Sequence, residues 1–387
     1  MAKRIILGGL SLLIFILPFP IHTATWESLG LAIPFLTWLF TSLKRKEKPK
    51  FYGLGFPILL WVGVVLISLI HSINPVYSLH ELKDELFKQL ILFLVVVNAL
   101  KREDCEFLLY PFLLSNFFVS AFTLYGFFTG ILAEYGRAIG TYLSYSRTAM
   151  YYIFSIPLIF TILLSHPKKF LRYVSLFLLT LSLLALLFTY TRGAWICVFF
   201  ALILLSLRKN WKLSLSILLV TSLLAISVPG VKERVKETFN FRKGLNNILS
   251  ARIGLWKNAL IIIKDNPFTG AGYGPNIFRY LKDKYDITNR ISKTQQPDAH
   301  NLYLQIMVET GIPGILAFLF LIFRWYQVTL RKWRKLKAGW EKEFLTTILT
   351  SIGAILFYGL VGYFYEDRNG LFFWLFLSLA LVLGRED

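Results

Sequence analysis

The chain alternates between apolar runs close to the length of a bilayer span, about 20 residues, and short polar breaks rich in Lys and Arg. The apolar segments fall near residues 5–22, 27–43, 54–72, 86–100, 107–132, 147–165, 170–189, 193–207, 212–229, 302–323, 343–363 and 370–384. Each reads as a helix, because hydrocarbon offers no partner for backbone N–H and C=O groups outside the segment itself. The stretch from 170 to 207 is too long for one span, and the polar, Gly-containing Thr189-Tyr190-Thr191-Arg192-Gly193 divides it. The predicted fold is all-α: a polytopic membrane protein with about twelve transmembrane helices and one large periplasmic loop containing short helices. Residues 1–229 hold the first nine helices, 230–301 the loop and 302–387 the last three, in one integrated membrane domain.

The breaks assign sides. Taken alternately, Lys3-Arg4, Lys44-Arg45-Lys46, Lys101-Arg102, Lys168-Lys169, Arg208-Lys209 and Arg331-Lys332-Trp333-Arg334-Lys335 all fall on one side. That side is expected to be the cytoplasm, with both termini on it. Residues 1–20 imitate a signal peptide, but no small-x-small pattern follows and further spans come after, so they read as the first transmembrane helix. The opposite side receives 230–301 and several short turns, and the chemistry is expected there.

Composition sharpens this picture. At 387 residues and 56% hydrophobic, the chain lies outside the range of soluble globular proteins. A net charge of +20 could suggest nucleic acid, but most basic residues sit in short breaks where they set orientation, so no nucleic-acid partner is expected. The long loop is different. Residues 230–301 carry thirteen Lys or Arg against six Asp or Glu, which points to an anionic partner or to a loop resting on anionic headgroups of membrane lipids. Cys105 and Cys197 read as unpaired. His22, His71 and His80 face outward without HExxH or Cys/His spacing, so neither a metal nor another cofactor is expected.

The candidate chemistry gathers where a polar segment meets an apolar helix, in Asp298-Ala299-His300-Asn301-Leu302-Tyr303-Leu304-Gln305. Asp298 is expected to cap the helix. The free N–H groups and the positive dipole end then lie beside His300, favouring neutral imidazole and attracting anions. Two readings fit: His300 as a general base beside an anion site, or as an anchor of the helix end at the lipid–water boundary. Upstream, Ser250 to Ile263 reads as a capped helix ended by Asn266-Pro267, with Ile253, Trp256, Leu260 and Ile263 on one stripe. Arg252 sits in its first turn, where the dipole disfavours a cation, so it serves a partner or is a plain surface residue. Gly270-Ala271-Gly272-Tyr273-Gly274-Pro275-Asn276 reads as a tight connection rather than a phosphate cradle, lacking Gly-Lys-Ser/Thr and a preceding strand. Arg192 lies at the edge of hydrocarbon, paired and functional or snorkelling to headgroups. Asp298, Glu366 and Asp367 are alternative bases, although Glu366-Asp367-Arg368 reads as a self-neutralised turn. Arg137 and Arg147 flank another outer loop, within reach of lipid phosphates.

His300-Asn301, nine residues, then Gly311-Ile312-Pro313-Gly314 resembles the signature of the O-antigen ligase family, membrane enzymes that join O-antigen to lipid A–core. The Thr191-Arg192-Gly193-Ala194-Trp195 turn, the Arg252 to Trp256 segment and the Gly270 to Gly274 run are similar too, so the resemblance covers about residues 185–320. It implies inverting transfer of a glycan from undecaprenyl diphosphate to a sugar hydroxyl of lipid A–core, without a metal, at the periplasmic face of a bacterial inner membrane. His300 would be the base and Arg192 and Arg252 the diphosphate clamp, since Arg forks match phosphate oxygens. Asn301, Arg137, Arg147 and Asp298 would support them. O-antigen polymerases and protein O-oligosaccharyltransferases are similar in this region. Neither Arg192 nor Arg252 is followed by Gly at the Arg-x15-Gly spacing of polymerases, which favours ligase. A flippase for lipid-linked sugars, the non-enzyme alternative, would call for mid-span charges and discontinuous helices.

Overall fold

Helices lie on every predicted apolar segment except 212–229, most of which falls outside the residues that the computed structural model describes: 1–19, 24–131, 133–134, 136–213, 215–217, 219, 232, 244–288, 298–365 and 367–385. In chain order they are α1 (Ala2–Ile16), α2 (Ala24–Arg45), α3 (Gly55–Ile70), α4 (Pro75–Glu81), a π-helical turn (Leu82–Phe87), α5 (Lys88–Ala99), α6 (Arg102–Phe107) and α7 (Leu109–Thr129). A two-residue hairpin follows, β1 (Ala133–Glu134) and β2 (Arg137–Ala138), then α8 (Tyr145–Ser165), α9 (Lys169–Phe188) and α10 (Arg192–Leu207). Next come α11 (Gly244–Asp265), α12 (Ile277–Tyr285), α13 (Leu302–Lys335), α14 (Trp340–Tyr358) and α15 (Asp367–Leu383). Among the described residues, 4 helices are long and apolar enough to cross a membrane: Arg102–Thr129, Tyr145–Ser165, Lys169–Phe188 and Leu302–Lys335. Gly55–Ile70, Arg192–Leu207 and Arg368–Leu383 are shorter apolar helices. This is an all-α membrane protein.

Position in the bundle follows from apolar distribution. α8 and α15 are apolar on all sides and form the centre, with every residue from Thr148 to Ile162 and from Leu371 to Leu383 buried. Perimeter helices leave Leu59, Ile70, Phe170, Phe177 and Phe323 uncovered by protein, a surface suited to lipid. Basic segments meet at one end. There Lys3 pairs with Asp104, Lys168 with Glu106, Arg102 with Glu341 and Lys209 with Glu343, at 2.7 to 3.2 Å. The starts of α8, α10, α13 and α15 and the end of α14 lie at the other.

One helix is broken, and the break organises the second half of the chain. Gly311 in α13 has φ 72° and ψ −172°, and Pro313 has no N–H to give to Glu309. The freed groups do not stay empty. The Ile312 N–H donates to the Pro267 carbonyl at 2.8 Å, Ala271 N–H donates to Val308 at 2.7 Å, and Gly272 N–H donates to Glu309 at 3.3 Å. The Gly270–Gly274 run is thus the tight connection expected from its composition, laid across the break. Gly270, at φ 69°, comes so near that a Cβ would lie 2.3 Å from the Glu309 carbonyl carbon.

Two local expectations are corrected. The helix of 250–263 begins earlier, at Gly244, so Ser250 does not cap it. Its buried stripe is Leu255, Ala259, Ile262 and Ile263, while Ile253 and Leu260 are exposed. The reason is tertiary, since this face packs with Ile277, Phe278 and Leu281 of α12 and Val308 of α13. Arg368 pairs with Glu27 of α2 at 3.0 Å, both 7% exposed, and Lys88 of α5 completes the group at 3.0 Å. Glu366, the Asp367 side chain and His22 lie outside the described residues. Both cysteines are free and buried.

Gly270→Ala and Gly311→Ala each combine a left-handed backbone with a clash against backbone, so each should destabilise by about 2 kcal/mol or more. Gly8, whose Cβ would meet nothing within 4 Å, should accept Ala with little change. Thermal unfolding of the three purified variants checks the contrast.

Candidate functional site

The junction before α13 is built by two side chains of similar chemistry and different roles. Asn301 is the N-cap: its Oδ1 accepts from the N–H groups of Tyr303 and Leu304 at 2.9 and 3.0 Å, and its Nδ2 donates to the Leu360 carbonyl at 3.0 Å. Asp298, expected to cap, instead holds His300. Its Oδ1 accepts from the His300 backbone N–H and from Nδ1 of the ring, the latter at 2.8 Å. The exchange of roles follows from His300 itself, whose φ of 44° is left-handed and turns the chain between the two residues. Such a backbone costs about 1 kcal/mol or more and persists where surrounding bonds over-determine it. The Leu302 N–H donates to Gly359 at 2.7 Å, so the whole turn is pinned to the end of α14.

The His300 ring is 41% exposed while the Asp298 carboxylate is 15% exposed. Asp298 thereby holds Nδ1 and orients the ring.

Tyr358, at the last turn of α14, is the meeting point of the remaining elements. Arg252 of α11, Asp298 and Tyr145 all lie within electrostatic range of its buried hydroxyl. The start of α10 packs on the same ring, where a Cβ on Gly193 would lie 3.1 Å from Cε2. Arg192, half-buried, opens that helix. Its neighbour Thr191 donates through Oγ1 to the Tyr145 carbonyl at 3.5 Å, and Arg137 stacks over the Tyr145 ring at 4.4 Å. His300, Asp298, Arg252, Arg192 and Arg137 therefore share one end of the bundle around Tyr145 and Tyr358. Arg147 lies in the first turn of α8, where its carbonyl accepts from Asn369 of α15 at 3.4 Å. His71 caps the end of α3, and His80 pairs with Asp84 at 2.6 Å, both apart from this group.

A buried polar layer supports the junction from behind. Gln305, fully buried, accepts from Ala299 N–H at 2.9 Å and donates to the Pro275 carbonyl at 3.2 Å and to Glu309 at 2.8 Å. Tyr363 donates to the same Glu309 carboxylate at 3.3 Å. Burial raises the Tyr77 and Tyr273 hydroxyls above the ordinary phenol range, and nearby carboxylates push the same way, so both stay protonated as donors. Sequence reasoning missed this layer, although Asn301, Gln305 and Glu309 repeat every fourth residue in an otherwise apolar helix. Tyr145 and Tyr358 carried no such signal. Among the described residues no group of three or more His, Cys, Asp or Glu could hold a metal ion.

Comparison with known proteins bears on this segment. A family model described as O-antigen ligase matches residues 176–319. An uncharacterized protein of Haemophilus influenzae is 36% identical over 80 residues, 20% of this chain and 19% of that protein. The stretch shared with that relative is therefore under a fifth of its length. The family match spans Arg192, Arg252 and His300 together with the Gly270–Gly274 connection and the Gly311 break. Residues 176–319 are thus similar to O-antigen ligases, and the match leaves the rest of the chain outside it.

Proposed function

We propose that this protein is an O-antigen ligase: it transfers a glycan from undecaprenyl diphosphate to a sugar hydroxyl of lipid A–core at the periplasmic face of a bacterial inner membrane. The observation that carries the reading is the convergence of Asp298-bound His300, Arg252 and the Arg192 turn on Tyr358. In the reaction, His300 Nε2 takes the proton of the acceptor hydroxyl as its oxygen attacks the anomeric carbon. The bond from that carbon to the diphosphate oxygen breaks, and its electron pair leaves with the diphosphate. Arg192 and Arg252 neutralise that charge, which a diphosphate needs more than protonation. Attack opposite the leaving group inverts the anomeric centre. Asp298 keeps the imidazole in the tautomer with Nε2 unprotonated and stabilises the imidazolium that forms. Arg137, stacked on Tyr145, extends the positive rim towards the lipid phosphates, and Asn301 fixes the helix start.

The break in α13 is the kind of discontinuity a flippase would use, yet its freed backbone groups are taken by Pro267, Ala271 and Gly272. That leaves the break closed rather than open to a substrate path, and supports the enzyme over the transporter.

His300→Ala should lower glycan transfer by about 10²–10⁴-fold, the span of general-base contributions, while the protein still folds in the membrane; retained transfer would remove His300 from the mechanism. Arg192→Lys and Arg252→Lys should each cost roughly tenfold to a hundredfold, the worth of a charge-assisted hydrogen bond that a point charge does not replace. Full activity in both would end the clamp.

The acceptor is identified by incubating the purified protein with an undecaprenyl-diphosphate glycan and, separately, lipid A–core, a second lipid-linked glycan and a peptide. Lipid A–core is expected to gain mass. A gain on the second glycan instead would make the protein a polymerase.

A further inference from the structure

The left-handed backbone of His300 is held from two sides. Ahead of it, Asn301 reaches the Leu360 carbonyl and the Leu302 N–H reaches Gly359. Behind it, the Ala299 N–H donates to Oε1 of Gln305 at 2.9 Å. Ala299 has no exposed surface, so without Gln305 that N–H would find no water in its place. The N–H belongs to the peptide that follows Asp298, whose carboxylate takes Nδ1 of His300 at 2.8 Å. What places that peptide therefore places the ring.

An amide at position 305 is matched to this task. The Ala299 N–H can only donate and the Pro275 carbonyl can only accept, so a side chain that joins them must accept at one end and donate at the other. Gln305 does both. Its Nε2 donates to Pro275 at 3.2 Å and to Oε1 of Glu309 at 2.8 Å. Glu309 is thus a second acceptor beside the same nitrogen, and its Oε1 also takes the Tyr363 hydroxyl at 3.3 Å. Gln305 is 0% exposed and Glu309 3%, so both act through other groups rather than by touching substrate. Their outer partners come from two separate segments: Pro275 follows the Gly270–Gly274 connection that closes the helix break, and Tyr363, like Leu360, lies between α14 and α15.

We propose that Gln305 and Glu309 are positioning residues: they lock the Asp298–His300 pair to the helix break and to the α14–α15 connection, so that the imidazole keeps one orientation. The effect on rate rests on the transfer reaction proposed above; the orientation of the ring does not.

Two measurements on the purified full chain separate these. In NMR spectra of protein isotope-labelled at histidine, with His300 assigned by its absence in His300→Ala, the Nδ1 proton held by Asp298 should give a sharp signal. Gln305→Met, similar in size but without the amide, should broaden or abolish that signal in folded protein. Glu309→Leu should do the same, and Glu309→Gln, which keeps an oxygen for Gln305 Nε2 and Tyr363, should restore it. In the transfer assay Gln305→Met should lower kcat by roughly tenfold to a hundredfold, the cost of a misplacement of about 1 Å. KM for the lipid-linked donor should stay within about twofold, because α10 and α11 carry the arginines. Where Gln305→Met does not fold, Gln305→Asn, one methylene short of Ala299, decides in its place. An unchanged Nδ1 signal in the folded variant, or a raised KM with kcat intact, overturns the proposal. Loss of the signal from a protein whose native sequence transfers no glycan would uphold the positioning and refute the reaction instead.

Discussion

A backbone group inside an apolar bundle must find a partner, and the break in α13 turns that requirement into architecture. Gly311 and Pro313 take the helix out of its own hydrogen-bond ladder, and Pro267, Ala271 and Gly272 restore what was lost. The connection after α11 is thereby fixed against the middle of another helix. With it come α12 and the apolar cluster that joins Leu255, Phe278 and Val308. The short part of α13 before the break, Leu302 to Thr310, is held by the Gly connection along its length and by Gly359 and Leu360 at its start. His300 stands at the end of that doubly held piece, with Nδ1 of its ring held by Asp298.

The two ends of the bundle use charge differently. At the basic end, carboxylates from neighbouring helices answer the cations one by one, as Asp104, Glu106, Glu341 and Glu343 do. Exposed pairs of this type contribute little to stability, and their more secure role is to keep basic segments on one side. At the other end Arg137, Arg192 and Arg252 collect near Tyr145 and Tyr358, with Asp298 engaged with His300.

What the sequence determined by itself was everything that depends on near neighbours along the chain. Apolar run length set where helices form, Gly and Pro content marked the break and the connection, and the His-Asn pair with its downstream Gly-Ile-Pro-Gly carried the resemblance to O-antigen ligases. Basic breaks spaced between apolar runs were enough to group them on one side. Local chemistry could not choose between two equivalent capping side chains, Asp298 and Asn301, because the choice turned on the left-handed backbone of His300 and on the Leu360 carbonyl that Asn301 reaches. Nor could it select the buried stripe of α11, which is defined by α12 and Val308 rather than by its own periodicity. Arg368 found Glu27 on a helix at the far end of the chain. Tyr145 and Tyr358 acquire meaning only where α8, α10, α11 and α14 meet. Helix formation is a short-range property of the backbone, whereas the identity of a partner is decided by which distant surfaces packing brings together, and only the tertiary structure holds that information.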